Sequence, residues 1–246
     1  MPRHSQLPIA PSAEVFLLGQ IDFERCLALQ QRLVYEASGR TDGQISLLLG
    51  EHPQVVTIGR LGSRSHIRLS TRELESRRVE VRWVGRGGGC LVHMPGQLAI
   101  YPIVPLAWYG YRVGEYLERL RTGMLSVLAD FQIHGERTAG SYDIEGRTGR
   151  LVAVAAAVKS WTTYFGAYLN VAPAGSLLRA VDAHDRPQHA MSSLLVERGR
   201  PLRMQGVRAS VIRHLTEALG CTRHHIYTGH PLLAGGAARV YEPSAV

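Results

Sequence analysis

The 246-residue sequence holds a single lysine, Lys159, and only three cysteines, Cys26, Cys90 and Cys221. Odd in number and widely spaced, these cysteines argue against a disulfide framework and a cysteine-built zinc site, and they fit a reducing compartment. Long apolar runs are missing too. Stretches such as residues 151–158 stop well short of the ~20 residues that a membrane helix needs. No continuous apolar core follows the basic residues near the N-terminus, so the sequence reads as cytoplasmic, with no secretory signal and no membrane association expected. With lysine nearly absent, the formal charge of +8 rests on arginine. Such a surface suits acidic protein partners or acidic substrates. Nucleic acid is not expected, because no helix-turn-helix, zinc-finger or aromatic RNA-binding signature accompanies the charge.

What is present is a mixed pattern with 45% apolar residues, enough for one substantial core. Asp22 is placed to cap a helix carrying Cys26, Leu29 and Leu33 on one face. Residues 45–49 and 55–58 read as short buried strands joined by Glu51-His52-Pro53, and strands follow at 79–85 and 97–103. Val113, Leu117, Leu120, Met124 and Val127 recur at helical spacing. Short strands are expected at 141–144, 151–158 and 167–171, then a last helix over 207–219 that Gly220 stops. The sum is an α/β domain (α+β, one mixed sheet with covering helices) over residues 13–228. Residues 1–12 read as a flexible N-terminus and 229–246 as a loose tail.

The run Arg86-Gly87-Gly88-Gly89-Cys90-Leu91-Val92-His93-Met94-Pro95-Gly96-Gln97 stands out. Its glycines permit positive φ and close approach of backbone to a bound group, while Arg86 adds a fixed cation and His93 a donor or acceptor. Strands on both sides favour a ligand cradle over a plain connecting loop. The run matches neither the phosphate-binding nor the dinucleotide-binding spacing. His224, His225 and His230 lie near the loose end with only Cys221 at ligand spacing, so no metal is expected. Arg198, Arg200, Arg203, Arg208 and Arg213 read as a solvated face. The small residues of segment 149–158 leave room for a flat or tubular apolar ligand, although tight helix-sheet packing gives the same composition.

As a set, several segments resemble the lipoyl(octanoyl) transferases, relatives of the lipoate and biotin protein ligases. The likeness is carried by Glu51-His52-Pro53 with Val55-Val56-Thr57-Ile58-Gly59-Arg60, by Arg86-Gly87-Gly88 with His93, Gly96-Gln97 and Tyr101, and by Gly166 with Leu169-Asn170-Val171 and Met191-Ser192-Ser193-Leu194. It covers about residues 14–225. The resemblance implies a single domain of the biotin/lipoate protein ligase-like fold. It also implies an activity without a cofactor: transfer of octanoyl from acyl carrier protein to a lysine of lipoyl domains or of the glycine-cleavage H protein. The family route is a cysteine thioester whose formation a nearby lysine favours, since the thiolate is the nucleophile. By position, the acyl pocket would be lined by Arg86, Gly87, Gly88, Gly89, Cys90, Leu91, Val92 and His93, by Ala153, Val154 and Ala155, and by Gly166, Ala167 and Tyr168.

Here the sequence departs from that pattern. His184, in Ala183-His184-Asp185-Arg186-Pro187, stands at the family's cysteine and Arg150 at its lysine, while Leu91, Val92 and Phe165 replace more polar or aromatic residues. Arg150 keeps the charge but cannot act as a base. His184 fits a general base for direct transfer from the carrier's already activated thioester, or a loop residue left after loss of the nucleophile. Cys90 is the other candidate nucleophile, with packing as a small apolar side chain as the alternative. The expectation is an octanoyltransferase-like protein of lipoate biosynthesis whose activity is impaired, lost or run by direct transfer. The alternative is a non-catalytic protein that binds an acyl group or acyl carrier protein. An ATP-dependent lipoate-protein ligase fits less well, because that chemistry uses a lysine where Arg150 stands.

Overall fold

The computed structural model describes residues 11–181 and 191–233. In chain order its strands are β1 (Ser12–Gln20), β2 (Ile45–Glu51), β3 (Val55–Ile58), β4 (Glu80–Trp83), β5 (Cys90–His93), β6 (Gln97–Ile103), β7 (Glu136–Arg137), β8 (Ile144–Gly146), β9 (Gly149–Lys159), β10 (Thr162–Asn170) and β11 (Arg223–Thr228). The α-helices are α1 (Phe23–Ser38), α2 (Thr71–Ser76), α3 (Leu106–Tyr109), α4 (Val113–Asp130), α5 (Gly175–Leu178), α6 (Leu194–Arg198) and α7 (Met204–Ala218). Among the described residues no helix is long and apolar enough to cross a membrane.

Two sheets form where one was expected. The larger has eight strands in the order β11-β1-β2-β6-β10-β9-β8-β7, and the smaller has three, β4-β3-β5. The break lies at His52-Pro53. The His52 side chain is buried and Pro53 has no N–H to continue a ladder, so the chain leaves the large sheet at the end of β2. β3 then pairs parallel with β4 and antiparallel with β5. This places the glycine run, which joins β4 to β5, against the large sheet.

Both faces of the large sheet are covered, which explains why its strands are apolar on both sides. On one face α4 and α7 pack Leu120, Met124, Val211 and Leu215 against Leu47, Leu98 and Leu169. On the other, Phe23, Cys26, Leu29 and Leu33 of α1 pack against Leu48, Tyr101 and Phe165. Asp22 caps α1 as its sequence position predicts, accepting from Arg25 N–H at 3.0 Å.

Near the C-terminus, His224 and His225 belong to β11, inside the expected domain of residues 13–228, because residues 223–228 pair parallel with residues 12–17 of β1. Neither strand announces itself: β1 lacks a clean alternation since both its faces are covered, and every residue of β11 is exposed. Boundaries shift elsewhere. The strand expected at 79–85 narrows to β4, that at 141–144 becomes β8, and α7 starts at Met204. The strands expected at 151–158 and 167–171 lengthen into the β9–β10 hairpin. Its two-residue turn holds Ser160 and Trp161 at φ 50 and 54, the conformation that matches strand twist.

Candidate functional site

The loop between β4 and β5 is curled back on itself, and its carbonyls are turned inward. Gly59, Arg60 and Leu61 donate backbone N–H groups to the carbonyls of Gly89, Arg86 and Gly88 at 3.0, 3.1 and 3.0 Å. Arg60 Nη1 donates to Gly85 O at 2.6 Å. Gly88 sits at φ +74, and a Cβ on Gly59 would stand 2.5 Å from Gly88 O, so both glycines are required by the curl. With its carbonyls held, the loop presents N–H groups. Gly87 N–H donates to Ala156 O of β9 at 3.0 Å, while those of Gly88 and Gly89 have no partner among the described residues.

Arg86 makes this curl possible. It is fully buried, and its Nη1 donates to Gly87 O and Gly89 O at 3.0 and 2.9 Å. Its Nη2 donates to Thr57 O and Thr57 Oγ1 at 2.9 and 2.6 Å. A planar fork with fixed charge is suited to gathering several carbonyls at once. The guanidinium is therefore directed into the loop that it organises.

From Arg86 a chain of hydrogen bonds crosses the core in one direction. Gln97 Nε2 donates to Val92 O, an obligatory acceptor, at 2.9 Å, which turns Gln97 Oε1 toward His93 Nδ1 at 3.1 Å. Nδ1 therefore carries the proton. Nε2 then accepts from Thr57 Oγ1 at 2.8 Å, the same hydroxyl that accepts from Arg86. Gln97 Nε2 also donates to Asn170 Oδ1 at 2.9 Å, and Asn170 Nδ2 donates to Ser192 O at 2.9 Å. Burial, with help from His52 and Arg86, holds His93 well below the ordinary imidazole range, so it is neutral. Its neighbour His52 is pulled down to about 4 by burial.

Between the loop, β9 and the start of α4 lies a cavity of about 600 Å³. Gly87, Gly88 and Gly89 form one wall and residues 153–158 of β9 another; Leu61, Val113 and Leu117 add apolar side chains to the lining. At one end stand Arg150 and Asp143, with Arg150 Nη1 donating to Asp143 Oδ2 at 2.9 Å. Asp143 Oδ1 also accepts from Val154 N–H at 2.8 Å. Asp143 is the site residue that sequence reading missed. Its signal was Arg150 itself: an arginine opening an apolar strand must be matched by a nearby carboxylate when buried.

The expected pocket residues divide. Arg86, the three glycines, Cys90, Leu91, Arg150, Ala153, Val154 and Ala155 all line this cavity. Val92 instead faces a smaller hollow shared with Cys90 and Met191. His93, Gly166, Ala167 and Tyr168 lie behind the wall. The His93 and Tyr168 rings are 4.7 Å apart in the core, and a Cβ on Gly166 would meet Ile100 O at 2.3 Å. The Cys90 thiol donates to Ser63 O at 3.3 Å and burial raises its pKa, so it is held as a thiol. Lys159 is exposed at the far end of β9. His184 lies outside the described residues. Among the described residues no group of three His, Cys, Asp or Glu gathers to hold a metal. Of the expected basic face, Arg208 pairs with Glu51 and Arg213 with Asp130.

Comparison with known proteins shows what the chain is similar to. The family model described as the lipoyl protein ligase A/B catalytic domain matches residues 22–216. An octanoyltransferase of Chloroflexus aggregans is 36% identical over 206 residues, covering 82% of this chain and 92% of its own. One from Geotalea uraniireducens is 34% identical over 194 residues, covering 79% and 87%. Among solved structures, that of a bi-partite lipoate protein ligase and its E2 lipoyl domain from Thermoplasma acidophilum superposes with a TM-score of 0.69 at 13% identity, covering 89% of this chain and 88% of that one.

Proposed function

Because the chain belongs to the lipoyl protein ligase A/B catalytic-domain family, we propose that it moves an octanoyl group from acyl carrier protein to a lysine of lipoyl domains in lipoate biosynthesis, by direct transfer. The observation that carries this reading is the apolar cavity behind the glycine loop, closed at one end by the Arg150–Asp143 pair. An acyl chain suits its alanine-lined wall. The N–H groups of Gly88 and Gly89 suit a polarised carbonyl oxygen, since unbonded backbone donors stabilise developing negative charge without reorganising. The octanoyltransferase relatives support the acyl group and the reaction class, and the lipoyl domain that accompanies the Thermoplasma ligase supports the acceptor.

Among the described residues that line the cavity, a covalent route finds neither a ready thiolate nor a lysine. Cys90 is held as a buried thiol, Arg150 cannot release a proton, and the resemblance sets His184 at the family's cysteine. In the proposed route His184 removes a proton from the incoming lysine, and the lysine nitrogen attacks the thioester carbonyl. The carrier thiolate then leaves and is reprotonated. Arg150 stabilises the charge on the intermediate. A second reading, a non-catalytic acyl-binding protein, is favoured by one feature: Asp143 already balances the Arg150 charge.

The deciding experiment supplies octanoyl-loaded acyl carrier protein and an apo lipoyl domain, with and without ATP, and follows both protein masses. Octanoylated domain without ATP, no acyl adduct on the enzyme, and loss of product in His184→Ala are expected. Product only with ATP indicates a ligase. No product alongside saturable binding of the loaded carrier overturns transfer and leaves the binding protein.

A further inference from the structure

One edge of β9 faces the cavity with part of its backbone unpaired. On its other edge β9 is laddered to β10, with Ala156 opposite Phe165 and Val154 opposite Ala167. Phe165 N–H does not cross this ladder; it donates to Gln30 Oε1 at 2.8 Å. Bonded and non-bonded pairs alternate along antiparallel strands, so Val154 and Ala156 both direct their backbone groups away from β10, toward the cavity. Two of those four groups are taken. Val154 N–H donates to Asp143 Oδ1 at 2.8 Å, and Ala156 C=O accepts from Gly87 N–H at 3.0 Å. The two between them, Val154 C=O and Ala156 N–H, have no partner among the described residues. Both residues are partly exposed and line the cavity.

We propose that this acceptor and donor hold a secondary amide-bearing arm, the pantetheine arm of the acyl thioester, laid along β9. One N–H of the arm donates to Val154 C=O, and one C=O accepts from Ala156 N–H, as a residue does when it joins a parallel strand edge. The proposal rests on the octanoyl-transfer reading. Acyl groups of carrier proteins hang on pantetheine, whose two amides supply that donor and acceptor on one extended chain. The acceptor polypeptide fits less well. Asp143 and Gly87 close the edge on both sides and leave room for a single residue-length unit rather than for a strand. Volume agrees as well. At about 30 Å³ for each water-sized group, eight acyl carbons occupy on the order of 240 Å³, well under the cavity's 600 Å³.

The test uses the full chain, labelled with ¹⁵N, and two probes. These are octanoyl-pantetheine and an octanoyl thioester on an ethylene-glycol arm of equal length, which has no amide. Octanoyl-pantetheine is expected to bind about ten-fold tighter, the order of one or two hydrogen bonds, and to shift the Ala156 amide proton downfield; the glycol thioester leaves that resonance in place. Ala156→Pro removes the N–H on a strand edge, where proline is tolerated, and is expected to abolish the preference for octanoyl-pantetheine over the glycol thioester. Equal affinities with an unmoved Ala156 resonance overturn the amide subsite and leave the acyl cavity standing. Binding of neither probe overturns the transfer reading beneath it. Should the proline variant fail to fold, the Ala156 shift in the unaltered chain decides.

Discussion

Arg150 and Asp143 form an ion pair at 2.9 Å with side chains only 7% and 12% exposed. Since Asp143 also holds the N–H of Val154, the pair fastens the middle of β9 to the turn that precedes β8. Removing Asp143 takes a charge partner from the buried Arg150 and an acceptor from Val154 N–H, and breaking such a buried pair typically costs about 3–5 kcal/mol. Asp143→Ala is therefore expected to lower stability by about that amount in urea unfolding. Stability unchanged within about 0.5 kcal/mol would mean that solvent reaches the guanidinium.

The Thr57 hydroxyl joins Arg86 to His93. Thr57→Val keeps the shape and removes the joint, stranding a donor on Arg86 and an acceptor on His93. A loss of about 1–3 kcal/mol is expected from the unsatisfied groups, measured as a lower unfolding midpoint at an unchanged denaturant slope. A midpoint equal to that of the native chain contradicts the directional network.

At Gly59 a single methyl group would reach Gly88 O at 2.5 Å, Arg86 Nη1 at 2.7 Å and Gly87 O at 2.9 Å. None of these is the far end of a free side chain, so the loop must move. Gly59→Ala is expected to weaken octanoyl-thioester binding by at least about ten-fold while the chain stays folded. Affinity like that of the native chain would show that the curl does not shape the cavity.

His52 is neutral in the fold, its pKa depressed to about 4 by burial against an ordinary 6.5. Below pH 6.5 the unfolded chain takes up a proton that the folded chain refuses. Stability is therefore full above pH 6.5 and falls as pH drops toward 4, by up to about 3 kcal/mol from this group. His93, displaced in the same direction, extends the loss. Unfolding midpoints measured from pH 7.5 to 4 should fall along this window, and His52→Gln should flatten the curve. A flat curve in the native chain would mean that these imidazoles are hydrated.

The long helices α1, α4 and α7 and the strands β2, β3 and β6 are legible because their side chains announce period and caps, whereas the short helices α2, α3, α5 and α6 and strand β5 are not. Asp22 stands where α1 begins, and Val55–Ile58 is a strand at its expected limits. β1 and β11 are not legible, since one is covered on both faces and the other is exposed throughout. The second sheet follows from Pro53, whose missing N–H is visible in sequence but whose consequence depends on where β4 and β5 lie. In the site, sequence reading finds the glycine loop and the alanine strand because small residues mark close approach. It assigns Arg86 and His93 to a ligand, whereas their hydrogen bonds run into the protein. The residues themselves do not reveal that difference: polar groups that organise a loop and polar groups that grip a ligand are the same residue types, and only the direction of each bond separates them.

The parallel pairing of β1 with β11 also imposes an order of events. During synthesis the edge of β1 that β11 covers stays open until residues 223–228 have left the ribosome, some two hundred residues after β1 itself. Long-range parallel pairing of this kind is slow, and an open strand edge invites pairing with other chains. A chain without residues 223–228 would thus carry its cavity-forming strands and still expose an open edge on β1, a margin available for pairing with other chains.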